Sequence, residues 1–557
     1  MNKKRTVNRV LSLILSLVLL VTGSAFSTAA WAGEFPDNYP DDLREIYDIP
    51  ADLSGKTVIL HSNDVHGAIG QYAYIASVKE NLKKRGAEVI LADAGDFSQG
   101  TPYVSVSKGK NAVIAMNTTG YDVATLGNHE FDYGYPQLVS NLCAANFKVL
   151  CADILDPEGK PITDPSCMFT TKAGLKIGFF GMSTPETLTK VNPALVKGLK
   201  FLSGKELYSC AQAQVDALKA DGADLVICLS HLGVDYETEI GGNRSVDLVD
   251  HTNGIDFLID GHSHAMMTDG NVKNPVQSTG TKVPTIGVIM IDNATKSIED
   301  HFLISMQGLQ KEVITKAITD KLIQEVNKEY NVVFAQSKVA LNGDKDPGNR
   351  TEETNLGNLV TDATVYSVTK ESGALKVDAD HVVAIQNGGG LRAWVKPGSV
   401  TMNTIKTVLP FGNSISVVYV TGAELLEALE ASTFSLPEAL GGYPQTAGIR
   451  FTVDTRKPFA KGALYPDSTY YKPASINRVT IESVNGKPFS MTDTYAVITN
   501  DFCADGGDTY YVFSNAADRF DTGIILDEAV VDYVKKELNG VIDDRYAAPR
   551  GDVTIIK

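Results

Sequence analysis

Residues 58–66 read VILHSNDVH, an apolar run followed at once by polar side chains. The run has the length and composition of a buried β-strand, and Asp64 and His66 stand just beyond its end. The same arrangement recurs along the chain, with polar residues directly after the apolar runs 89–92, 123–126, 225–230 and 257–259. Because sites in α/β layers are built at the carboxyl ends of strands, this repetition predicts a functional site at one edge of a sheet.

Helix-like polar stretches separate these apolar runs, at 73–84, 135–145 and 205–220. Strand, helix, strand at this spacing predicts an α/β fold class with layered sheets and helices. A further apolar run at 176–182 and a β-rich segment at 285–305 complete a first domain.

The length of 557 residues predicts two domains, because a single core stops growing near roughly 250–300 residues. Residues 311–330 contain neither Gly nor Pro and predict a connecting helix. Mixed strands and helices follow from Val332, including a helix over 422–432. We therefore expect a signal peptide at 1–32, a leader at 33–54, a first domain at 55–310, a helical linker at 311–335 and a second domain at 336–557.

The first 32 residues indicate export. A basic start, an apolar run at 10–21 and the small-residue sequence Ala30-Trp31-Ala32 are typical of a cleaved signal peptide. The apolar run is shorter than the ~20 residues of a membrane span. We expect the mature chain to be secreted or periplasmic, with no transmembrane segment, and to begin with an exposed leader over 33–49.

Composition narrows the class of protein. Hydrophobic residues make up 43% and charged residues 21%, which excludes a disordered tail, a collagen-like repeat and a polytopic membrane protein. A net charge of −17 without a basic run excludes a nucleic-acid polymer as partner, although a small anion could still be held locally. The six cysteines show no C-x-x-C spacing and predict no zinc framework; a disulfide between Cys143 and Cys151 stays open.

Histidines gather where the predicted strands end. Asp64, Asp96 and Asn128 follow strands in the same way, and five of the nine histidines do so, at 66, 129, 231, 262 and 264. Carboxylate, amide and imidazole ligands without thiolate suit zinc, manganese or iron. Each piece alone is common, but five in this order predict a metal centre.

The order D-x-H, GD, GNHE, H and GHxH resembles the calcineurin-like metallophosphoesterase superfamily. HSNDVHG at 61–67 and GNHEFD at 127–132 look like its 5′-nucleotidase/UDP-sugar hydrolase branch. The resemblance implies a four-layer α/β/β/α sandwich that holds two divalent metal ions at one end, with zinc or manganese as the expected metals, followed by a second mixed α/β domain.

The resemblance also implies the ligand sets. One metal would be bound by Asp64, His66, Asp96 and His264, and the other by Asp96, Asn128, His231 and His262. Some members of the branch have Gln or Asn in place of His264, which bears on metal preference rather than on catalysis. Two ions about 4 Å apart would clamp a phosphoryl group and deprotonate a water near neutral pH, so attack by metal-bound hydroxide is implied.

His129 and Asp132 resemble the catalytic dyad of the family. The histidine would stabilise charge on the transferring phosphoryl group or the leaving oxygen, and the aspartate would orient it. The alternative is a pair at a helix start that satisfies backbone donors.

Four segments of the second domain resemble the C-terminal domain of the 5′-nucleotidase branch: NLGNLVTDA at 355–363, NGGGLR at 387–392, LPFGN at 409–413 and NDFCADGGD at 500–508. The first predicts a helix start capped by Asn355. By the resemblance, Phe411 and Phe502 would sandwich the nucleobase and Asn413 would contact base or sugar. Stacking of about 1–3 kcal/mol per base discriminates little between bases, so broad nucleotide use is implied.

The rest of the nucleotide has implied contacts as well. Asn387 and Asp508 would contact the ribose hydroxyls, while Arg350 and Arg392 would grip phosphate oxygens by forked hydrogen bonds. Some relatives carry a further phosphate-binding arginine where this chain has Ala68, which leaves the preferred phosphate chain length open.

These observations predict a secreted two-metal phosphohydrolase that acts on small-molecule nucleotides and releases phosphate from nucleoside 5′-monophosphates. UDP-sugars and nucleoside di- and triphosphates stay open as substrates. The alternatives are a 2′,3′-cyclic-nucleotide 2′-phosphodiesterase/3′-nucleotidase of the same architecture and a non-catalytic nucleotide-binding surface protein. The run Gly506-Gly507-Asp508 favours the 5′ branch, and no predicted metal ligand is lost. The sequence leaves the oligomeric state open.

Overall fold

The computed structural model describes residues 43–557 except 236, 237, 239, 240, 272 and 371–374. The predicted signal peptide, 1–32, and residues 33–42 of the predicted leader lie outside the described residues. In the described part of the chain, no helix is long and apolar enough to cross a membrane.

The N-terminal domain is built on a six-stranded sheet centred on Lys56–Ser62. That strand pairs in parallel with Glu88–Asp93 and antiparallel with Thr285–Asp292. Its apolar side chains are fully buried, as the run of Val, Ile and Leu predicts. The strand order is Ser297–Ser305, Thr285–Asp292, Lys56–Ser62, Glu88–Asp93, Val123–Thr125 and Lys148–Leu150.

A second six-stranded sheet carries the other predicted strands. Lys176–Ser183, Leu225–His231 and Phe257–Ile259 run parallel, so their carboxyl ends lie at one edge. The strand order is Met266–Met267, Val276–Thr279, Phe257–Ile259, Leu225–His231, Lys176–Ser183 and Ser166–Thr170. A two-stranded ribbon pairs Ile154–Leu155 with Lys200–Phe201.

The two sheets pack face to face through one apolar core, in which Ile59 and Ile90 of the first sheet meet Phe179 and Ile227 of the second. Alternate side chains of the second sheet point outward and pack under the helix Gly204–Ala220. The other α-helices in the described residues of this domain are Tyr72–Lys84, Pro102–Ser105, Lys110–Thr119, Tyr135–Ala144, Thr187–Lys190 and Ser245–His251. The predicted α/β class and its layered sandwich are confirmed.

The predicted connecting helix spans Val313–Tyr330. Glu312 caps its start by accepting hydrogen bonds from the backbone N–H groups of Ile314 and Thr315, at 2.9 and 2.7 Å. The helix packs on Tyr72–Lys84 and Lys110–Thr119. It therefore belongs to the surface of the N-terminal domain and is not a free spacer.

The C-terminal domain is built on a five-stranded sheet in the order Pro444–Ala447, Val382–Asn387, Thr494–Asn500, Ser414–Thr421 and Asp518–Ile525. Its two faces bury separate apolar clusters, because neighbouring residues such as Val417 and Val418 point to opposite sides. A four-stranded sheet (Lys487–Pro488, Val479–Val484, Ile449–Asp454, Val553–Ile556), a three-stranded sheet (Gly398–Thr401, Val333–Ser337, Val541–Ile542) and a ribbon (Ala460–Leu464, Tyr471–Ser475) complete it. The helices are Asn355–Thr369, Met402–Val408, Gly422–Ser432, Asp501–Ala504, Tyr511–Ser514 and Leu526–Lys536.

The described part of the predicted leader is not exposed throughout, contrary to expectation. Ile46, Ile49 and Leu53 are at most 5% exposed. Arg44 donates its backbone N–H to the edge strand Ser297–Ser305 at 2.9 Å. Apolar side chains spaced between charged ones anchor this segment to the first sheet.

The helix Asn355–Thr369 is capped by Thr354 and not by Asn355. The Thr354 hydroxyl accepts a hydrogen bond from a backbone N–H of the first turn at 3.0 Å. The Asn355 amide instead donates to the carbonyls of Ala340 and Tyr546, at 2.9 and 2.8 Å. Both residue types are good caps, and these tertiary bonds decide between them.

All six cysteines are free thiols, so the disulfide left open between Cys143 and Cys151 is not formed. The buried Cys151 thiol instead donates to Asp153 at 3.4 Å.

Candidate functional site

The first set of predicted metal ligands comes together at the carboxyl ends of the strands. Ligand atoms of Asp64, His66 and His264 all lie within 4.8 Å of one another. Asp64 Oδ1 lies 3.7 Å from His66 Nε2 and 3.5 Å from His264 Nε2. These side chains reach the point from two different sheets, because strand-end loops of both sheets meet at this edge.

The second set forms a neighbouring group. Ligand atoms of Asp96, His231 and His262 lie within 4.8 Å of one another. His231 Nε2 is 3.0 Å from Asp96 Oδ2, and His262 Nδ1 is 2.9 Å from Asn128 Oδ1. The four residues predicted for one ion therefore share one small volume.

Asp96 stands between the two groups. Its Oδ2 atom lies 3.0 Å from His231 Nε2 in the second group and 3.6 Å from His66 Nε2 in the first. This is the position that a bridging carboxylate needs. All seven residues predicted as metal ligands are thus brought together.

The donor set fits two divalent cations. His66 Nε2 and His264 Nε2 face each other at 3.0 Å, and His231 Nε2 is buried without a partner of hydrogen-bonding geometry in the described part of the chain. A divalent cation bound here would displace the protons that these nitrogen and oxygen atoms share and would be held by their lone pairs. Carboxylate, amide and imidazole donors without sulfur are those that zinc or manganese accepts.

Backbone conformation supports the same assignment. Asp64, His66, Asp96, His262 and His264 all have positive φ angles, between 45° and 75°. Residues with a Cβ atom rarely adopt this left-handed region, and such strain concentrates at functional sites.

Charge is unevenly distributed among these groups. Burial raises the pKa of Asp64 to about 7. Burial acts in the same direction on Asp96, but the neighbouring imidazoles of His231 and His129 hold the pKa of Asp96 well below its usual range. Burial lowers the pKa of His231, yet the Asp96 carboxylate outweighs it and raises that pKa to about 10.

The predicted dyad is formed. His129 Nδ1 lies 2.8 Å from Asp132 Oδ2, and the backbone N–H of His129 donates to Asp96 Oδ1 at 2.9 Å. Although burial opposes it, the carboxylates of Asp132 and Asp96 raise the pKa of His129. The two carboxylates therefore favour the protonated form of His129, which lies beside the candidate metal ligands.

Glu130 fastens the two loops that carry Asp96 and Asn128, a role that sequence analysis missed. Its buried carboxylate accepts hydrogen bonds from four backbone N–H groups, at 2.7–3.0 Å. The donors are Asp96, Phe97, Ser98 and Gly127. The loops that hold Asp96 and the candidate dyad are thus locked to each other.

The residues predicted to bind substrate line one cavity of about 290 Å³. They are Arg350, Asn387, Arg392, Phe411, Asn413, Phe502 and Asp508. The same cavity is bounded by residues of the candidate metal centre and dyad: Asp96, Asn128, His129, Asp132, His262 and His264. Asp64, His66 and His231 lie buried behind this wall. Both domains therefore contribute to one site.

The substrate side of the cavity is ordered by hydrogen bonds and ring contacts. Asn387 Nδ2 donates to Asp508 Oδ2 at 2.9 Å. The Phe411 ring stacks on His129, with the ring centres 5.7 Å apart. Phe502 is 8% exposed, and Gly507 permits its position, because a Cβ atom there would lie 2.3 Å from the Phe502 ring.

Four cationic side chains line the cavity, among its aspartate carboxylates. Burial and the neighbouring guanidinium of Arg350 lower the pKa of Arg392 to about 10, so Arg392 remains charged at neutral pH. Lys190 and Lys345 also line the cavity and were missed by sequence analysis. Neighbouring like charges of this kind are stabilised by an anion, which fits a phosphate group.

Fold and site together define a metal-dependent phosphoesterase. Residues 57–266 match the family model for calcineurin-like phosphoesterases, and residues 333–515 match that for the 5′-nucleotidase C-terminal domain. The chain belongs to the 5′-nucleotidase family of calcineurin-like phosphoesterases.

Relatives share most of the chain. A 5′-nucleotidase of Vibrio parahaemolyticus is 27% identical, over 90% of this chain and 93% of its own length. The trifunctional nucleotide phosphoesterase protein YfkN of Bacillus subtilis is 28% identical over 91% of this chain, but the chain spans only 36% of that longer protein. The solved 5′-nucleotidase precursor of Thermus thermophilus superposes with a TM-score of 0.74 at 27% identity, covering 90% of this chain and 99% of that one.

Proposed function

We propose that the protein is a two-metal 5′-nucleotidase that hydrolyses nucleoside 5′-monophosphates to nucleoside and phosphate. The observation that carries this proposal is the shared cavity, in which the candidate metal centre and dyad of one domain face the aromatic and arginine side chains of the other. A nucleotide offers a matching group to each wall: a phosphate, a ribose and a flat base.

The proposed metal ligands are the seven residues that converge at the strand ends, with Asp96 as the bridge. Zinc or manganese bound there would polarise the phosphoryl oxygens and supply a nucleophile at neutral pH. Asp132 accepts a hydrogen bond from His129 Nδ1–H, so His129 carries a proton on Nε2 as well only in its imidazolium form. In that form Nε2–H would stabilise charge on the phosphoryl or leaving oxygen, and the Asp132 carboxylate stabilises and orients the imidazolium.

We expect the substrate to contact the residues that line the cavity opposite the candidate metal centre. Phe411 and Phe502 would stack on the base, and the hydrogen-bonded pair Asn387 and Asp508 would bind the ribose hydroxyls. Arg350 and Arg392 would bind phosphate oxygens. Lys190 and Lys345 add positive charge to the cavity, which makes substrates with more than one phosphate, including UDP-sugars, part of the proposal.

Export and domain limits are proposed on sequence grounds. The basic start, apolar run and Ala30-Trp31-Ala32 of the first 32 residues support a cleaved signal peptide and a secreted or periplasmic enzyme. The proposed domains are 55–310 and 336–557, with the linker at 311–335. Mass spectrometry of the exported protein should find an N-terminus at Gly33.

The test of the proposed function is a substrate panel on the metal-reconstituted enzyme: 5′-AMP, 3′-AMP, 2′,3′-cyclic AMP, ADP and UDP-glucose, with released phosphate and nucleoside measured. We expect turnover of 5′-AMP to exceed that of 3′-AMP and of the cyclic nucleotide. Preferred cleavage of the last two would replace the proposal by a cyclic phosphodiesterase/3′-nucleotidase. Binding of nucleotides without turnover of any would indicate a non-catalytic binder.

A further inference from the structure

Both ring nitrogens of His262 are engaged. Nδ1 lies 2.9 Å from Asn128 Oδ1, inside the candidate metal centre. Nε2 lies 2.9 Å from Glu186 Oε2, on the side away from Asn128. A carboxylate can only accept a hydrogen bond, so the Glu186 contact keeps the proton on Nε2. The lone pair of Nδ1 is then directed toward the metal centre.

Glu186 is held in place by its own surroundings. It follows the strand Lys176–Ser183, whose last residue pairs with His231 of the neighbouring strand. Its side chain is 4% exposed, and its backbone carbonyl accepts hydrogen bonds from the N–H groups of Thr189 and Lys190, both at 2.8 Å. Because the backbone of Glu186 is fixed and its side chain is buried, the carboxylate has a defined position from which it can orient the imidazole.

We propose that Glu186 is a positioning residue that fixes the tautomer and ring orientation of His262 for metal binding. This inference rests on the metal centre of the proposed function. Outer carboxylate partners of metal-binding histidines raise the basicity of the imidazole, and their loss typically lowers metal affinity or activity by about 10–100-fold. Glu186 itself touches neither the substrate groups nor the other candidate ligands among the contacts described.

The same short segment also reaches the substrate pocket. Asp508, a proposed ribose ligand, donates its backbone N–H to the Thr189 carbonyl at 2.6 Å. Lys190 Nζ lies 3.5 Å from Asp508 Oδ1. One end of this segment thus contacts a candidate metal ligand, and the other end contacts the nucleoside side of the cavity. The two ends can be perturbed separately, which provides a control.

The test is a titration of the metal-free full-length protein with Zn²⁺ by calorimetry, repeated with Co²⁺ followed by its visible absorption. Wild type should bind two ions. Glu186→Ala should weaken one of the two sites by about 10–100-fold and change the Co²⁺ spectrum of that site. Glu186→Gln keeps an oxygen acceptor for Nε2–H, so it should restore most of that affinity.

Two variants serve as controls. Lys190→Ala perturbs the other end of the segment and should raise KM for 5′-AMP while leaving both Zn²⁺ affinities as in wild type. Glu430→Gln alters a buried carboxylate of the C-terminal domain that accepts backbone hydrogen bonds, and it should also leave both Zn²⁺ affinities unchanged. A loss of Zn²⁺ affinity in either control would show that nonspecific destabilisation, not His262 orientation, explains the Glu186 result.

The inference is overturned if Glu186→Ala binds both Zn²⁺ ions as wild type does. Should that variant fail to fold, Glu186→Asp decides the question, because it keeps the charge but withdraws the carboxylate from His262. Wild-type Zn²⁺ affinity in Glu186→Asp would overturn the inference. If wild type itself binds no pair of ions, the two-metal function fails, and that result is distinct from wild type binding two ions with an unaffected variant.

Discussion

Replacing Glu130 by alanine should loosen the edge of the sheet that carries Asp96, the proposed bridging ligand. The Glu130 carboxylate accepts four backbone hydrogen bonds at 2.7–3.0 Å and is 2% exposed. In Glu130→Ala these four backbone N–H groups lose their hydrogen-bond acceptor, and few other groups nearby can replace it. Hydrogen bonds to charged groups contribute roughly 1.5–3 kcal/mol each. Since such losses are not fully additive, we expect the free energy of unfolding to fall by about 4–6 kcal/mol.

The isosteric change Glu130→Gln gives the sharper test. An amide keeps one oxygen acceptor but turns its NH₂ group toward backbone N–H donors, so at least two bonds are lost and donors are opposed. Burial raises the pKa of Glu130, and the backbone N–H groups act against that shift, so the measurement belongs at pH 8, where the carboxylate is ionised. We expect a loss of about 3–5 kcal/mol for Glu130→Gln at that pH.

Urea unfolding followed by fluorescence measures the stability, and metal analysis of the purified variants measures the consequence for the site. Glu430→Gln is the matched comparison, because Glu430 is fully buried and accepts backbone hydrogen bonds from three residues of the C-terminal domain. It should lose comparable stability but keep its metal content, whereas the Glu130 variants should lose both. Wild-type stability of Glu130→Gln at pH 8 would refute the reasoning, because it would mean that a neutral side chain serves equally well.

Three further results are expected. His129→Ala should keep its metal content and lower kcat for 5′-AMP by roughly 10²–10⁴, the range for a positioned proton donor; loss of metal in this variant would instead make His129 a ligand. Phe502→Ala should raise KM for nucleotides but leave hydrolysis of p-nitrophenyl phosphate, which has no nucleobase, largely intact; an equal loss on both substrates would argue against base stacking. Burial raises the pKa of Asp153 to about 7, above its unfolded value, so stability should fall as pH rises from about 4 to 7. Asp153→Asn should flatten that dependence in urea unfolding at pH 5 and pH 8, and an unchanged slope would exclude Asp153 as its source.

The predictable part of the fold follows from apolar runs and strand ends. Runs such as 58–61 and 225–230 are rich in Val, Ile and Leu, which marks them as buried strands of an α/β fold without any tertiary information. Because parallel strands end at a common edge, the polar residues after them were expected to meet. Asp64, Asp96 and His231 do meet there.

Other features carry no local signal. Glu186 follows a correctly predicted strand, but a single glutamate three residues beyond a strand end looks like any loop residue until its distance to His262 is known. Glu130 accepts hydrogen bonds from backbone N–H groups. Nearly every residue type has such a group, so the sequence does not show which ones Glu130 contacts. The choice of Thr354 over Asn355 as helix cap depends on the carbonyls of Ala340 and Tyr546, which are distant in the chain.

The contacts between the two domains could not be predicted from the sequence either. The hydrogen bond from the Asp508 backbone to the Thr189 carbonyl and the stacking of Phe411 on His129 join segments more than 250 residues apart. The family resemblance implied that both domains share one site, but only the structure shows which residues of the two domains contact each other. The positions of Lys190 and Lys345 in the lining of the cavity likewise depend on the tertiary structure and could not be predicted from the sequence.

Metal reconstitution of the chelator-treated enzyme tests the proposed two-metal site most directly, with phosphate release from 5′-AMP measured after each addition of Mn²⁺ or Zn²⁺. We expect no activity in the metal-free protein and a rise that saturates at two ions per chain. Full activity after exhaustive chelation, or saturation at one ion, would contradict the two-metal site bridged by Asp96.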